Sequence, residues 1–151
     1  MVGKNKESYI NEAVLEFTKR LSKFVDLEVN YVEESKVLRE QDVVVAKREE
    51  TKKTLSRVNS DDLVIVLDNE GVEWTSENFA RMIEAPMNDG VTLHFLIGGA
   101  YGFDREMLSE RLHTRLSLSK MIFSHQIIRI FFLEQLYRAM TIIKGTKYHH
   151  G

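Results

Sequence analysis

Two rhythms of apolar and polar positions alternate along this chain. Over residues 8–25 the apolar residues Ile10, Ala13, Val14, Phe17, Leu21 and Phe24 recur at helical spacing. That predicts a helix with one buried face and Ser8 as its N-cap. Residues 27–33 (LEVNYVE) alternate apolar with polar, the period of a strand. Residues 35–60 are charged and less regular; a weak helix is expected from about 44 to 58, with KREETKK as a solvated face. The run LVIVL at 63–67 is short, continuous and rich in β-branched residues, typical of a strand covered on both faces, and it ends in the turn Asp68-Asn69-Glu70-Gly71. A helix follows over 76–88, carrying Phe79, Ala80, Met82, Ile83 and Met87, with the only proline, Pro86, expected to kink or stop it. Asn88-Asp89-Gly90 turns the chain into a strand over 91–97, followed by Gly98-Gly99-Ala100-Tyr101-Gly102. A short helix is expected from 104 to about 113, a brief strand over 115–118, a loop, and a closing helix from about 126 to 144. The closing helix is so densely apolar that no face of it suits water, so it calls for cover from its own domain and from a second copy of the chain.

Strands alternating with helices indicate an α/β fold, a mostly parallel sheet flanked by helices. With no internal repeat and no Pro/Gly/Ser-rich linker, residues 1–151 are expected to form a single domain.

Composition adds little, except in how charge is distributed. A hydrophobic content of 43% with 29% charged residues is ordinary for a globular protein, and the lack of cysteine excludes disulfides and thiolate metal ligands. The start, MVGKNKES, is polar, and Arg129 and Glu134 interrupt the richest apolar run, so neither a signal peptide nor a membrane span is expected and a cytoplasmic protein is. The formal charge is −2, yet from Thr114 onward Arg115, Lys120, Arg129, Arg138, Lys144 and Lys147 face Glu134 alone, a net +5. A basic C-terminal third on an acidic body suits a phosphate-bearing partner; a lysine-flanked buried helix with solvated ends fits the same pattern.

In parallel α/β sheets ligands sit at the carboxyl ends of the strands. Three loops follow strands in the second half, at 68–71, 98–102 and 117–124, and as neighbours they would make one pocket. The glycines of GGAYG permit close backbone approach, although the spacing is not a dinucleotide fingerprint. His94, His113, His125, His149 and His150 have neither the spacing nor the acidic partners of a metal site. No nucleophile elbow accompanies them, so hydrolysis by a recognisable triad is not expected.

Taken in order, LVIVLDNEG, LHFLIGGAYGFD and RLSLSKMIFSHQIIRIFFLEQLYRAMTIIKGTKYHH resemble the RlmH family, SPOUT-class methyltransferases that act on a pseudouridine of large-subunit ribosomal RNA. The resemblance covers nearly the whole chain, since KESYINEAVLEFTKRLSKFVDLEV is similar to that family's first helix and second strand. Its most specific part is SLSKM-x-F-x-H, then LEQ-x-YRA, then I-x-x-G-x-x-YH. The resemblance implies a SPOUT-type fold with a deep C-terminal trefoil knot, S-adenosylmethionine bound in the knot loops, and a homodimer with the cofactor near its interface. The implied substrate is the ring nitrogen N3 of a pseudouridine in 23S rRNA on assembled ribosomes, reached without a separate RNA-binding domain, a metal or a membrane. Carried over by motif, cofactor contacts fall on Leu67, Gly98, Leu118, Ser119, Lys120, Met121, Ile122 and Phe123. Attention for catalysis falls on Arg138, Tyr148 and His149. Arg138 would meet a phosphate or the target base, or else simply pair with Glu134 one helical turn back.

There are two departures from the family. Only Val2-Gly3 remain of the family's first strand, which would leave a sheet edge less covered, and Ser124 stands where many relatives have proline. The alternative function is a catalytically impaired RNA- or ribosome-binding dimer of the same fold.

Overall fold

The computed structural model describes residues 1–37, 39–40, 42–146 and 148. Its centre is β1 (Leu63–Glu73), which pairs in parallel with β2 (Leu93–Leu96) on one side and β3 (Leu112–Ser117) on the other, in the order β2-β1-β3. Successive side chains of a strand point to opposite faces, and β1 has apolar residues on both. Ile65 enters one core with Ile10, Leu21, Ile83, Leu133 and Met140. That core is covered by α1 (Ser8–Leu21), α3 (Ser76–Asn88) and α5 (Ile127–Ile143), with α1 and α3 both packed on α5. Val64 and Val66 enter the other, with Val2, Val32, Val58, Leu96, Phe103 and Leu108, beneath α2 (Asp42–Leu55) and α4 (Arg105–Ser109). The continuous run LVIVL thus reads as it does because both faces of the strand are covered.

The elements differ from the sequence reading in four places, each with a physical reason. Residues 27–33 do not form a strand; Val32 alone bridges to Val2. Alternation marks a two-faced segment, but a strand also needs a partner, and here it has only Met1–Gly3. Val32 N donates to Met1 O at 2.9 Å, Gly3 N donates to Val32 O at 2.8 Å, and Val2 N donates to Ile97 O at 2.9 Å. The fully buried Val2 is therefore wedged between Val32 and the end of β2.

Secondly, Ser8 is the first helical residue of α1; the cap position is Glu7, with no side-chain bond. The hydroxyl and carboxylate caps lie on α3, where Thr75 Oγ1 accepts from Asn78 N, and on α4, where Asp104 Oδ1 accepts from Met107 N. The helix α3 keeps its expected bounds, with Pro86 in its last turn and its end at Asn88. Thirdly, α4 ends at Ser109 and not near 113, because Leu112 already pairs with Val64 at the start of β3.

Fourthly, β1 does not end at Leu67. Leu116 of β3 pairs with both Leu67 and Val72, so Asp68–Gly71 loops out of the ladder and the strand resumes to Glu73. Asp68 Oδ1 accepts from Glu70 N at 2.9 Å and holds the bulge. A Cβ at Gly71 would lie 2.7 Å from the backbone carbon and oxygen of Arg115, so only glycine lets the bulge rest on β3.

Arg129, read from the sequence as a polar break in the closing helix, is 0% exposed. Its guanidinium donates to Val2 O and Asn5 Oδ1 and lies 5.8 Å from the Tyr31 ring centroid, pinning the N-terminal segment to α5. Burial disfavours its charged form and draws its pKa down.

Candidate functional site

The carboxyl ends of the three strands open onto one cleft of ≈ 450 Å³. Leu67, Ile97, Leu116, Leu118 and Ile128 make its apolar walls, and Asp68, Ser119 and His125 its polar points. Each wall is held by a local device. After β2, Gly102 takes a positive φ of 71° and donates its N–H to Gly99 O, closing the GGAYG turn. A Cβ at Gly98 would fall 2.9 Å from Gly102 Cα, so this turn tolerates no side chain there.

The loop from β3 to α5 is stitched to itself. Ser117 Oγ donates to Ser119 O, and Met121 N donates to Ser119 Oγ, both at 3.0 Å. Ser124 Oγ accepts from Ile127 N at 3.3 Å, and its carbonyl accepts from Ile128 N at 3.1 Å, so this serine anchors the first turn of α5. Lys120 Nζ donates to Gly71 O at 3.1 Å and Asn69 O at 3.4 Å, stapling the loop to the β1 bulge.

Leu67, Gly98, Leu118, Ser119, Met121, Ile122 and Phe123 all line the cleft. The Lys120 side chain points instead to the bulge behind it. Met121 is 72% exposed and Ile122 88%, while Phe123 packs on Phe131 with centroids 5.0 Å apart.

Arg138 and Tyr148 lie together, away from the cleft. Arg138 Nη2 meets Glu134 Oε1 at 2.7 Å, the turn-back pair that the spacing allowed, and its guanidinium sits 5.2 Å from the Tyr148 ring centroid. Tyr148 OH donates to the same Glu134 oxygen at 3.3 Å, and its ring meets Tyr137 edge-on at 4.7 Å. Burial and the Glu134 carboxylate raise the Tyr148 pKa, so the phenol keeps its proton at neutral pH. His149 lies outside the described residues.

The cleft also contains the histidine that closes the SLSKM-x-F-x-H motif, to which the resemblance gave no cofactor or catalytic role. His125 lines it, and its Nε2 is buried with no hydrogen-bond partner. Burial, with Arg129 nearby, pushes the imidazole below its ordinary pKa of 6.5, so it is neutral at physiological pH. Periodicity gave no sign of this, because His125 stands in a loop where neither face nor burial can be read. Among the described residues no three His, Asp or Glu side chains are grouped to hold a metal ion, and no helix is long and apolar enough to cross a membrane.

The family model "Predicted SPOUT methyltransferase" matches residues 1–149. The chain belongs to the SPOUT methyltransferase family. This SPOUT methyltransferase is similar to three curated relatives named "Ribosomal RNA large subunit methyltransferase H". The protein from Cytophaga hutchinsonii is 43% identical over 150 residues, covering 99% of this chain and 96% of the relative. That from Acetivibrio thermocellus is 40% identical over 155 residues, covering 98% and 95%. The Christiangramia forsetii protein is 39% identical over 150 residues, covering 99% and 95%. A methyltransferase needs a methyl donor.

Proposed function

We propose that this SPOUT methyltransferase transfers a methyl group from S-adenosylmethionine to N3 of a pseudouridine in 23S rRNA, on assembled ribosomes in the cytoplasm. The observation that carries this reading is the cleft of ≈ 450 Å³ built from the three strand-end loops, in a chain so alike along its length to proteins named for large-subunit rRNA methylation. Its volume lies in the roughly 300–1,000 Å³ range of small-molecule sites. The residues fit the donor: Leu67, Leu116, Leu118 and Ile128 offer apolar surface to an adenine, and the loop backbones at Gly98 and Leu118–Phe123 offer donors and acceptors to its edge. The unpartnered Nε2 of His125 gives the cleft a buried polar atom that a ligand would satisfy.

When bound, S-adenosylmethionine supplies an electrophilic methyl on a sulfonium. Much of the protein's contribution is then positioning, with the acceptor nitrogen held in line and water kept out. Deprotonating that nitrogen needs a base near neutral pH, and the imidazole of His149 is the group assigned to it. Tyr148, whose phenol stays protonated and donates to Glu134, steadies the Glu134–Arg138 pair, and Arg138 balances developing negative charge or a phosphate.

Arg138 and Tyr148 stand away from the cleft of their own chain, so these groups serve the cleft of a second copy in a homodimer. Met121, Ile122 and Phe131, exposed at 72%, 88% and 47%, form an apolar patch beside the cleft for that copy to cover. In this reading the segment after β3 also forms the trefoil knot of the family.

Calorimetric titration with S-adenosylmethionine, alongside sedimentation, tests the reading. It predicts one donor bound per protomer of a dimer; a folded protein that binds no donor contradicts it.

A further inference from the structure

A second hollow, of ≈ 570 Å³, adjoins the donor cleft and shares Leu67, Asp68, Gly98 and Ile122 with it, so the two open into one another. Their charges differ. The donor cleft has Asp68 as its only acidic or basic wall residue apart from the neutral His125. The second hollow adds Lys47, Arg105 and Arg115 to that one carboxylate. Its floor is apolar, made by Val66, Phe103, Leu108 and Leu112, and Tyr101 stands at its rim with 53% of its surface exposed.

The two guanidiniums converge on a single point. Arg105 Nη2 and Arg115 Nη1 each lie 3.7 Å from the same atom, Asp68 Oδ2, and Arg105 Nη2 also meets Glu70 Oε2 at 2.6 Å. A close charge-assisted contact to a carboxylate oxygen is about 2.8 Å. Asp68 thus steers Arg115 without a close contact, while Arg105 makes its close contact with Glu70 through Nη2 alone; both guanidiniums remain substantially exposed. Asp68 Oδ1 is committed to Glu70 N within the bulge, which fixes the carboxylate that gathers them. Paired cations beside an exposed aromatic ring, over an apolar floor, are the chemistry that recognises an unstacked nucleotide.

We propose that this basic hollow seats the target nucleotide, with Tyr101 stacking on its base and Arg105 and Arg115 binding its phosphates. The inference rests on the rRNA methyltransferase reading and assigns that reaction its acceptor site. The GGAYG loop then serves both substrates, Gly99 lining the donor cleft, Tyr101 the basic hollow and Gly98 both, so methyl and nitrogen meet where the two hollows join.

The test compares the parent dimer with Tyr101→Ala, Tyr101→Phe and the double variant Arg105→Ala/Arg115→Ala. Methyl transfer to ribosomes lacking the modification is followed at several salt concentrations, with S-adenosylhomocysteine affinity measured beside it. Tyr101→Ala raises KM about 5- to 100-fold while Tyr101→Phe stays near the parent, because stacking needs the ring and not the hydroxyl. The double variant raises KM about tenfold or more and makes the salt dependence of log kcat/KM shallower by about 1.4, the share of two phosphate contacts on a single strand. Donor affinity is unchanged throughout, which separates loss of substrate binding from misfolding.

The same proteins are titrated with a short single-stranded RNA by fluorescence anisotropy. An active parent whose variants keep its KM and salt slope overturns the inference. A parent that transfers no methyl refutes the functional reading instead; the anisotropy series then decides the hollow, equal RNA affinities across the set overturning it and loss in Tyr101→Ala and the double variant supporting it.

Discussion

His125 illustrates how much a single side chain can hold that spacing cannot show. Its Nε2 is buried and unpartnered, and burial and Arg129 hold its pKa below 6.5. Below that pH the unfolded chain binds a proton that the folded chain resists, so stability contributed by the neutral ring is complete above 6.5 and lost as pH falls through it. Urea denaturation from pH 7.5 to 5.5 should show stability falling for the parent, and falling less for His125→Gln. Glu50 acts in the opposite sense lower on the scale: burial raises its pKa above 4.5, so the comparison between the two proteins, not the parent's slope alone, isolates the histidine. Gly71 makes a simpler case. With a Cβ only 2.7 Å from Arg115 backbone, Gly71→Ala should cost about 2 kcal/mol in denaturant titration and weaken donor binding by displacing the bulge that forms the cleft wall.

Among the elements, those with a single apolar face were legible. The spacing over residues 8–25 and 76–88 is met by α1 (Ser8–Leu21) and α3 (Ser76–Asn88), because a 3.6-residue period identifies both helix and buried side. The LVIVL run identified β1 and its two covered faces, and glycines at strand ends located two of the three cleft loops. What stayed hidden depended on partners. The alternating residues 27–33 meet only Val2, and the β1 bulge exists because Leu116 pairs twice, a fact about register that no single strand's sequence contains. Lys120 likewise reads as a loop charge until the bulge carbonyls of Asn69 and Gly71 are placed beside it. Lys120→Met should leave overall stability nearly intact, since the side chain only ties one loop to another, while lowering donor affinity several-fold by calorimetry. Arg129 inverts the expectation for a charge in an apolar helix. Arg129→Ala should destabilise by about 3 kcal/mol through lost hydrogen bonds and a cavity, and Arg129→Met by clearly less, because it restores volume and buries no charge.

At the scale of the molecule, two features point outward from a single chain. The apolar residues Met121, Ile122 and Phe131 border a cleft that Arg138 and Tyr148 of the same chain do not reach. In the proposed homodimer a second copy accounts for both, covering the patch and bringing its C-terminal segment to the cleft. Ile122→Asp with Phe131→Asp should therefore shift sedimentation from dimer to monomer and abolish methyl transfer while leaving the helical signal in place. The basic hollow adjoins the cleft through Leu67, Gly98 and Ile122, so the patch and the hollow meet at Ile122.

The central claim is methyl transfer to one pseudouridine of the large subunit. Ribosomes from a strain lacking the modification, incubated with this protein and methyl-labelled S-adenosylmethionine, should yield label in 23S rRNA alone, recovered after nuclease digestion and mass spectrometry as N3-methylpseudouridine, with His149→Ala and Arg138→Ala greatly slowed. A folded, donor-binding dimer that leaves those ribosomes unlabelled contradicts the account.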